Sequence, residues 1–323
     1  MKLQRVGVIG ATGLVGQAIV EWLLRFGYLP DYISLFASQS SDGKSLTLGQ
    51  KNFSVLSLTE KAIQTLDVAL FATDAAVSRQ WISIAQSRGV VCIDNSSAFR
   101  QDPSVPLVIP EVNGHVLATH PQVIASPNCS TIIALLALAP LHHTLRMKAF
   151  TACTYQAVSG NGTEGLRTLE RERQCGDSFS EIYSDRIEGN VIASIGIPQG
   201  NGFTDEEEKL CHESRKILAS PELQATATCV RVPVERAHSM ALQARFESSV
   251  DLAMAEEQLR YAPGIHYTLT SVATPFRCAW NEDCFVSRLR KDPFDDKQLL
   301  LWTVGDQIWK GAALNVVQIL NRL

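Results

Sequence analysis

The sequence predicts an α/β fold class: a doubly wound parallel sheet, followed by an α+β domain whose sheet is mostly antiparallel. Three observations predict it. Over the first 130 residues, short apolar runs alternate with helix-length amphipathic stretches, the texture of strands joined by crossover helices. A glycine-rich turn separates the first run from the first stretch. Later in the chain the strand-like runs lengthen and charged helices separate them.

The elements follow in order. RVGVIG (5–10) reads as the first strand and GLVGQAIVEWLLRFG (13–27) as the helix after it. YISLFAS (32–38), DVALFAT (67–73) and VVCID (90–94) read as further strands, with AAVSRQWISIAQSRG (75–89) as a helix. QVIAS (122–126) is stopped by Pro127 and Asn128, and STIIALLALA (130–139) then starts a helix. MKAFTACTYQAV (147–158), ATATCVRVPV (225–234) and HSMALQARFES (238–248) are the longer strands. TEGLRTLERERQ (163–174) and TDEEEKLCHESRKIL (204–218) are the charged helices. In GDQIWKGAALNVVQILNRL (305–323) apolar residues recur at helical spacing, which predicts a terminal helix packed back on the first domain. The expected division is 1–127 with 305–323 against 128–304.

With 46% hydrophobic and 19% charged residues in 323, the chain has enough apolar material for two cores. A formal charge of −4, with no basic block, points to a small-molecule partner and away from nucleic acid or an anionic membrane. The start lacks a signal-peptide pattern and no segment reads as a membrane span, so a cytoplasmic location is expected. Eight cysteines never form a C-x-x-C pair, which fits reduced thiols. No metal-ligand spacing appears, and no metal is expected.

Gly10, Ala11, Thr12, Gly13, Leu14, Val15 and Gly16 form the strand-to-helix turn. Small residues there let backbone N–H groups approach a pyrophosphate at a helix N-terminus, the Rossmann-type arrangement. At the end of the second strand an NAD site usually carries an acid for the ribose 2′-OH; here Ser38, Gln39, Ser40 and Ser41 precede Asp42. This favours NADP, although Lys44 is the one cation nearby and NAD stays open.

Cys129 falls at the start of the helix that follows Pro127 and Asn128, where the dipole and unbonded N–H groups favour a thiolate. A buried thiol packed as a small hydrophobe is the plain alternative. Arg231 and His238, seven residues apart around Pro233, suit a carboxylate-binding guanidinium and an imidazole delivered to one cleft. Arg100 follows the strand 90–94 towards the sheet edge where an anion site is expected. Thr204 and Glu207 have capping-box spacing, with Lys209 beyond.

Seven collinear motifs make the chain similar to aspartate-semialdehyde dehydrogenase over nearly its whole length: GATGLVG (10–16), DNSSAFR (94–100), PLVIPEVN (106–113), SPNCSTI (126–132), TYQAVSG (154–160), RVPVERAHS (231–239) and KGAALN (310–315). The resemblance implies a nucleophile at Cys129, acid/base action at His238 and substrate positioning by Gln156. It implies that Arg231 holds the α-carboxylate and Glu207 the amino group, while Arg100, Asn128 and Lys209 bind phosphate. Cofactor contacts are implied for the glycine turn, Ser38, Ser40, Ser41, Lys44, Ser159, Gly160 and Gln307. The implied reaction is NADP-dependent reduction of L-aspartyl-4-phosphate to aspartate 4-semialdehyde by a homodimer, on the route to lysine through diaminopimelate, threonine and methionine. The likeness departs at Ser40, where members carry an arginine, at Asp42, at Gln307 and Trp309 in place of Asn and Arg, and along VIASIGIPQGNGF (191–203).

Three other readings compete. A short-chain reductase needs Tyr-x-x-x-Lys, which no tyrosine here begins. N-acyl-glutamyl-phosphate reductase shares the thiol mechanism but matches less well around Cys129 and His238. A paralogue that retains the fold for nucleotide binding or interaction, with weak or no turnover, stays open. The cofactor loop carries an expected outcome: the kcat/KM ratio of NADP over NAD, measured with one substrate, is smaller than an arginine-bearing loop gives.

Overall fold

Val6–Ile9 (β1) is an unbroken apolar run buried along its length, as a central parallel strand is when helices cover both faces. The structure, a computed structural model, describes residues 4–175 and 182–323. After β1 come Leu14–Arg25 (α1), Ile33–Ala37 (β2), Ser45–Leu48 (β3), Lys51–Ser57 (β4), Glu60–Ile63 (α2) and Val68–Phe71 (β5). Ala75–Gln86 (α3), Val91–Asp94 (β6), Pro110–Asn113 (α4) and Val123–Ala125 (β7) follow. The seven strands lie in the order β3-β4-β2-β1-β5-β6-β7. All pairings are parallel except the β3–β4 edge. Successive crossovers run outward from β1 on both sides, so the sheet is doubly wound, as the alternation of strands and helices predicts. The β3–β4 hairpin went unread because its strands are mostly polar, with only Leu48, Phe53 and Val55 buried.

The chain divides into two compact units, Met1–Asn128 with Ala312–Leu323, and Cys129–Gly311. The second opens with Cys129–Leu145 (α5), whose residues from Ser130 to Ala139 are all buried, so it is a core helix apolar all round. Met147–Gln156 (β8), Gly162–Cys175 (α6), Asp205–Ile217 (α7), Gln224–Arg231 (β9) and His238–Phe246 (β10) come next. Leu252–Tyr261 (α8), Ile265–Thr268 (β11), Pro275–Cys278 (α9), Cys284–Lys291 (β12) and Gln298–Gly305 (β13) complete the unit. Its six strands lie in the order β11-β12-β13-β10-β8-β9. The three central pairings are antiparallel and the two outer ones parallel. One face of this sheet packs on α5, α7 and α8. Along β8 and β10, buried and less buried residues alternate, the signature of a sheet with one covered face.

The terminal segment expected as one helix over 305–323 is built differently. β13 runs to Gly305, a tight turn follows at Asp306, a wide π turn spans Trp309–Ala313, and only Leu314–Leu320 (α10) is α-helical. The Asp306 carboxylate captures the N–H groups of Ile308 and Trp309 (3.0 and 2.8 Å) and delays the helix. Helix α10 belongs to the first unit, on α1 and β6. Asn315 Nδ2 pins it there by donating to Val108 O and Ser126 Oγ (3.0 and 2.9 Å). No helix among the described residues is long and apolar enough to cross a membrane.

Two glycines of the first turn answer to space. Gly10 has φ +84°, and a Cβ there falls 2.3 Å from Ala72 O; at Gly16 a Cβ falls 2.2 Å from Gly10 O. Both neighbours are backbone and cannot yield. Gly16→Ala is therefore expected to destabilise the protein by about 2–3 kcal/mol, read as a lowered denaturation midpoint at unchanged m-value.

Candidate active site

The first unit carries a cavity of about 590 Å³ at the carboxyl ends of β1, β2, β4 and β5, lined by Gly10, Thr12, Ser38, Gln39, Asp74 and Trp81 among others. That is where a doubly wound sheet binds ligands, and the volume lies within the range of small-molecule sites. The first bond of the α1 ladder is Gln17 N to Gly13 O (3.0 Å), so the N–H groups of Leu14, Val15 and Gly16 precede it. Ala11 is buried, and its N–H is held by Phe36 O (3.1 Å). At the second-strand loop, Ser38 Oγ and Ser40 Oγ lie 2.9 Å apart, and Lys44 Nζ donates to Ser41 Oγ (3.2 Å). Asp42 turns away from this group, its Oδ1 accepting the Ser57 N–H (2.8 Å). These residues fit an adenine dinucleotide: a pyrophosphate at the helix start and hydroxyls with one ammonium at the ribose end.

Two further expected residues belong to this unit. Arg100 is buried, aimed by donating to Asn95 O (2.8 Å) on the turn after β6. That turn is held by Asp94, fully buried, which accepts from Ser78 Oγ, Ser96 N and Ser96 Oγ (2.9, 3.0 and 2.7 Å). Asn128 is half-buried and directly precedes Cys129.

In the second unit Cys129 is the first residue of α5 and half-buried. Cys92 and Cys229 are buried, and desolvation pushes their thiols up to about 12; Cys211 and Cys278 reach about 11 for the same reason. Those four are packing residues. Gly311 closes against Cys129: a Cβ at 311 falls 2.9 Å from the cysteine Cβ.

Three expected residues meet at one end of the sheet. Gln156 ends β8 and pairs in register with Arg231, which ends β9. Ser239 pairs with Tyr155, which brings His238, the first residue of β10, beside Gln156. In-register neighbours on adjoining strands project to the same face. Arg231 Nη1 donates to Ala157 O (2.7 Å) and Nη2 to Asn161 Oδ1, while Nε is buried without a hydrogen-bond partner among the described residues. His238 is fully buried; its Nδ1 accepts the Ala157 N–H (3.1 Å) and its Nε2 has no such partner. A neutral ring whose Nδ1 accepts carries its proton on Nε2. A Cβ at Gly160 falls 2.7 Å from Arg231 Nη1 and 3.4 Å from His238 Nε2, so both groups face the space that this glycine leaves. Gln156 is buried, with Nε2 donating to Thr154 Oγ1 (3.2 Å).

Glu207 is spent on backbone. Its Oε2 accepts the Thr204 N–H (2.9 Å), completing the expected capping box, and its Oε1 accepts the Cys229 N–H (2.9 Å). The charge of the neighbouring Glu206 acts on Arg231, both carboxylates act on Cys229, and Glu206 lies 3.7 Å from Lys209 Nζ. Lys209 also pairs with Asp205 (2.6 Å). The capping spacing commits the acid at the third helical position, Glu207, to the backbone.

Ser159 and Gln307 bond to each other and to protein backbone. Gln307 Oε1 accepts the Ala237 N–H (2.9 Å), its Nε2 donates to Ser159 Oγ (2.5 Å), and Ser159 Oγ donates to Glu235 O. The residue before Gln307, Asp306, is fully buried and pairs with Arg236 (2.5 Å), whose guanidinium lies 3.3 Å over the Trp280 ring. No cluster of His, Cys, Asp and Glu able to hold a metal occurs among the described residues.

Family comparison agrees with this architecture. The model of the semialdehyde dehydrogenase NAD binding domain matches residues 5–120, and that of the semialdehyde dehydrogenase dimerisation domain matches residues 138–310. The aspartate-semialdehyde dehydrogenase of Aquifex aeolicus is 36% identical, over 99% of this chain and 97% of its own. That of Mycolicibacterium smegmatis is 38% identical over 98% of both. The crystal structure of aspartate semialdehyde dehydrogenase II from Vibrio cholerae complexed with ASA is 34% identical, with a TM-score of 0.96 over 100% of this chain and 98% of that one.

Burial, and after it the Arg231 charge, holds His238 well below the ordinary imidazole value of 6.5. In acid the unfolded chain then binds a proton that the native imidazole refuses, so stability falls as pH drops below 6.5. His238→Gln is expected to flatten that part of the stability-pH curve by up to one proton, about 1.4 kcal/mol per pH unit, in denaturant titrations across the range.

Proposed function

The chain belongs to the aspartate-semialdehyde dehydrogenase family, and from that we propose that it forms aspartate 4-semialdehyde by reductive dephosphorylation of L-aspartyl-4-phosphate, with NADP as cofactor and an acyl thioester on Cys129. The observation that carries the reading is the convergence of Gln156, Arg231 and His238 at one sheet end, with two buried donors, Arg231 Nε and His238 Nε2, that have no hydrogen-bond partner among the described residues. Buried donors are costly unless a ligand completes them. An α-carboxylate completes the guanidinium, and a developing oxyanion completes the imidazole.

The chemistry follows from these residues. The Cys129 thiolate, favoured at a helix start, attacks the acyl carbon; the C–S bond forms, the carbon–oxygen bond to phosphate breaks, and inorganic phosphate leaves. The nicotinamide, when bound, supplies the hydride that reduces the thioester carbon. The resulting oxyanion collapses, expels the thiolate and releases the aldehyde. His238 acts with Nδ1 closed by Ala157, so its part is to donate Nε2–H to the oxygen that gains charge. Gln156 fixes the acyl group beside it. Glu206 is the acid we assign to the amino group, because both oxygens of Glu207 accept backbone N–H groups. Arg100, Asn128 and Lys209 keep the phosphate-binding role. The turn 10–16 with Ser38, Ser40, Ser41 and Lys44 would hold the dinucleotide. The product feeds lysine, threonine and methionine synthesis.

The assembly proposed is a homodimer. On the less buried face of the second sheet, Cys153, Tyr155, Ala241, Leu300 and Trp302 are half-buried, with the Tyr155 and Trp302 rings 5.6 Å apart. A second copy on this face accounts for the apolar surface.

With aspartate semialdehyde, phosphate and NADP, the wild type is expected to reduce the cofactor only when phosphate is present. Cys129→Ala is expected to lower that rate by at least about 10³-fold while the fold is retained. A well-folded wild type that stays silent in the absorbance assay refutes the proposal.

A further inference from the structure

We propose that Gln307 is a positioning residue for His238, acting through the turn at Ala237, and is not a contact to the cofactor. The proposal rests on the part given to His238 above.

Ala237 immediately precedes His238 and is fully buried with φ +70°, a left-handed conformation that alanine disfavours and glycine adopts freely. Something must hold it. Gln307 does so with both ends of its amide: Oε1 accepts the Ala237 N–H (2.9 Å) and Nε2 donates to Ser159 Oγ (2.5 Å). Ser159 Oγ donates in turn to Glu235 O, two residues before Ala237. Two residues before Ser159, Ala157 donates its N–H to His238 Nδ1, and its carbonyl accepts from Arg231 Nη1. The circuit is thus closed from imidazole to Ala157, Ser159, Gln307, Ala237 and back to the imidazole. It sets the height of the ring and the tautomer that leaves Nε2–H towards Gly160. Gln307 is only 3% exposed, and its amide oxygen and nitrogen are both engaged within the protein. An asparagine is one methylene too short to span both partners.

The test compares wild type, Gln307→Asn, Ala237→Gly and the double variant, each labelled with ¹⁵N-histidine and assayed for turnover. In wild type at neutral pH, His238 is expected to show an unprotonated Nδ1 and a protonated Nε2. Gln307→Asn is expected to lose that single-tautomer pattern and about tenfold in kcat, with KM for NADP within about twofold. Adding Ala237→Gly, which takes the turn without strain, is expected to restore the pattern and most of kcat. The proposal is overturned if Gln307→Asn leaves the imidazole signals unchanged, if its defect lies in KM for NADP alone, or if the glycine restores nothing. Should the wild type lack activity altogether, the assigned reaction fails, while the imidazole signals still decide the role of Gln307.

Discussion

Asp306 is the group on which the geometry of the second unit depends. Its carboxylate is fully buried and accepts from the backbone of Trp280, Ile308 and Trp309 and from Arg236 Nε and Nη2. Removing one member of such a buried pair costs about 3–5 kcal/mol, because the remaining charge is stranded. Cys129 and His238 are each linked to Asp306 through one neighbour. On one side its own carbonyl accepts the Gly311 N–H (2.9 Å), and Gly311 closes on Cys129. On the other, Arg236 anchors the turn whose next residues are Ala237 and His238.

The same economy of buried charge explains the imidazole. Arg231 is buried and shares with His238 the space beside Gly160, so a second positive charge there is opposed twice, by desolvation and by repulsion. A neutral ring with its proton on Nε2 is the state that both effects permit. Burial also lowers Arg231 from its ordinary value, yet a guanidinium stays charged, so of the two groups the histidine is the one that gives up its proton.

The cofactor loop shows how a departure from family pattern is absorbed. Asp42 would repel a 2′-phosphate if it faced the cavity, but its carboxylate caps the Ser57 N–H and ties the loop to β4. What remains there is a set of hydroxyls with Lys44, which lacks the bidentate fork of an arginine.

Local pattern was sufficient for much of this protein. Apolar runs bounded by glycine and proline located the buried strands of the first sheet, because a parallel strand covered on both faces needs no partner to be recognised. Pro127, Asn128 and the apolar run after Cys129 likewise marked the start of α5 from residues that adjoin in the chain. Thr204 and Glu207 announced their capping box by spacing alone. Tertiary structure decided the rest: that Asp306 interrupts the terminal helix, that the second oxygen of Glu207 accepts the Cys229 N–H, and that Ala237 takes a glycine's conformation. Each depends on groups far apart in the chain, Asp306 with Arg236 (70 residues), Glu207 with Cys229 (22) and Gln307 with Ser159 (148), and a pairing of that range leaves no periodicity for the sequence to display.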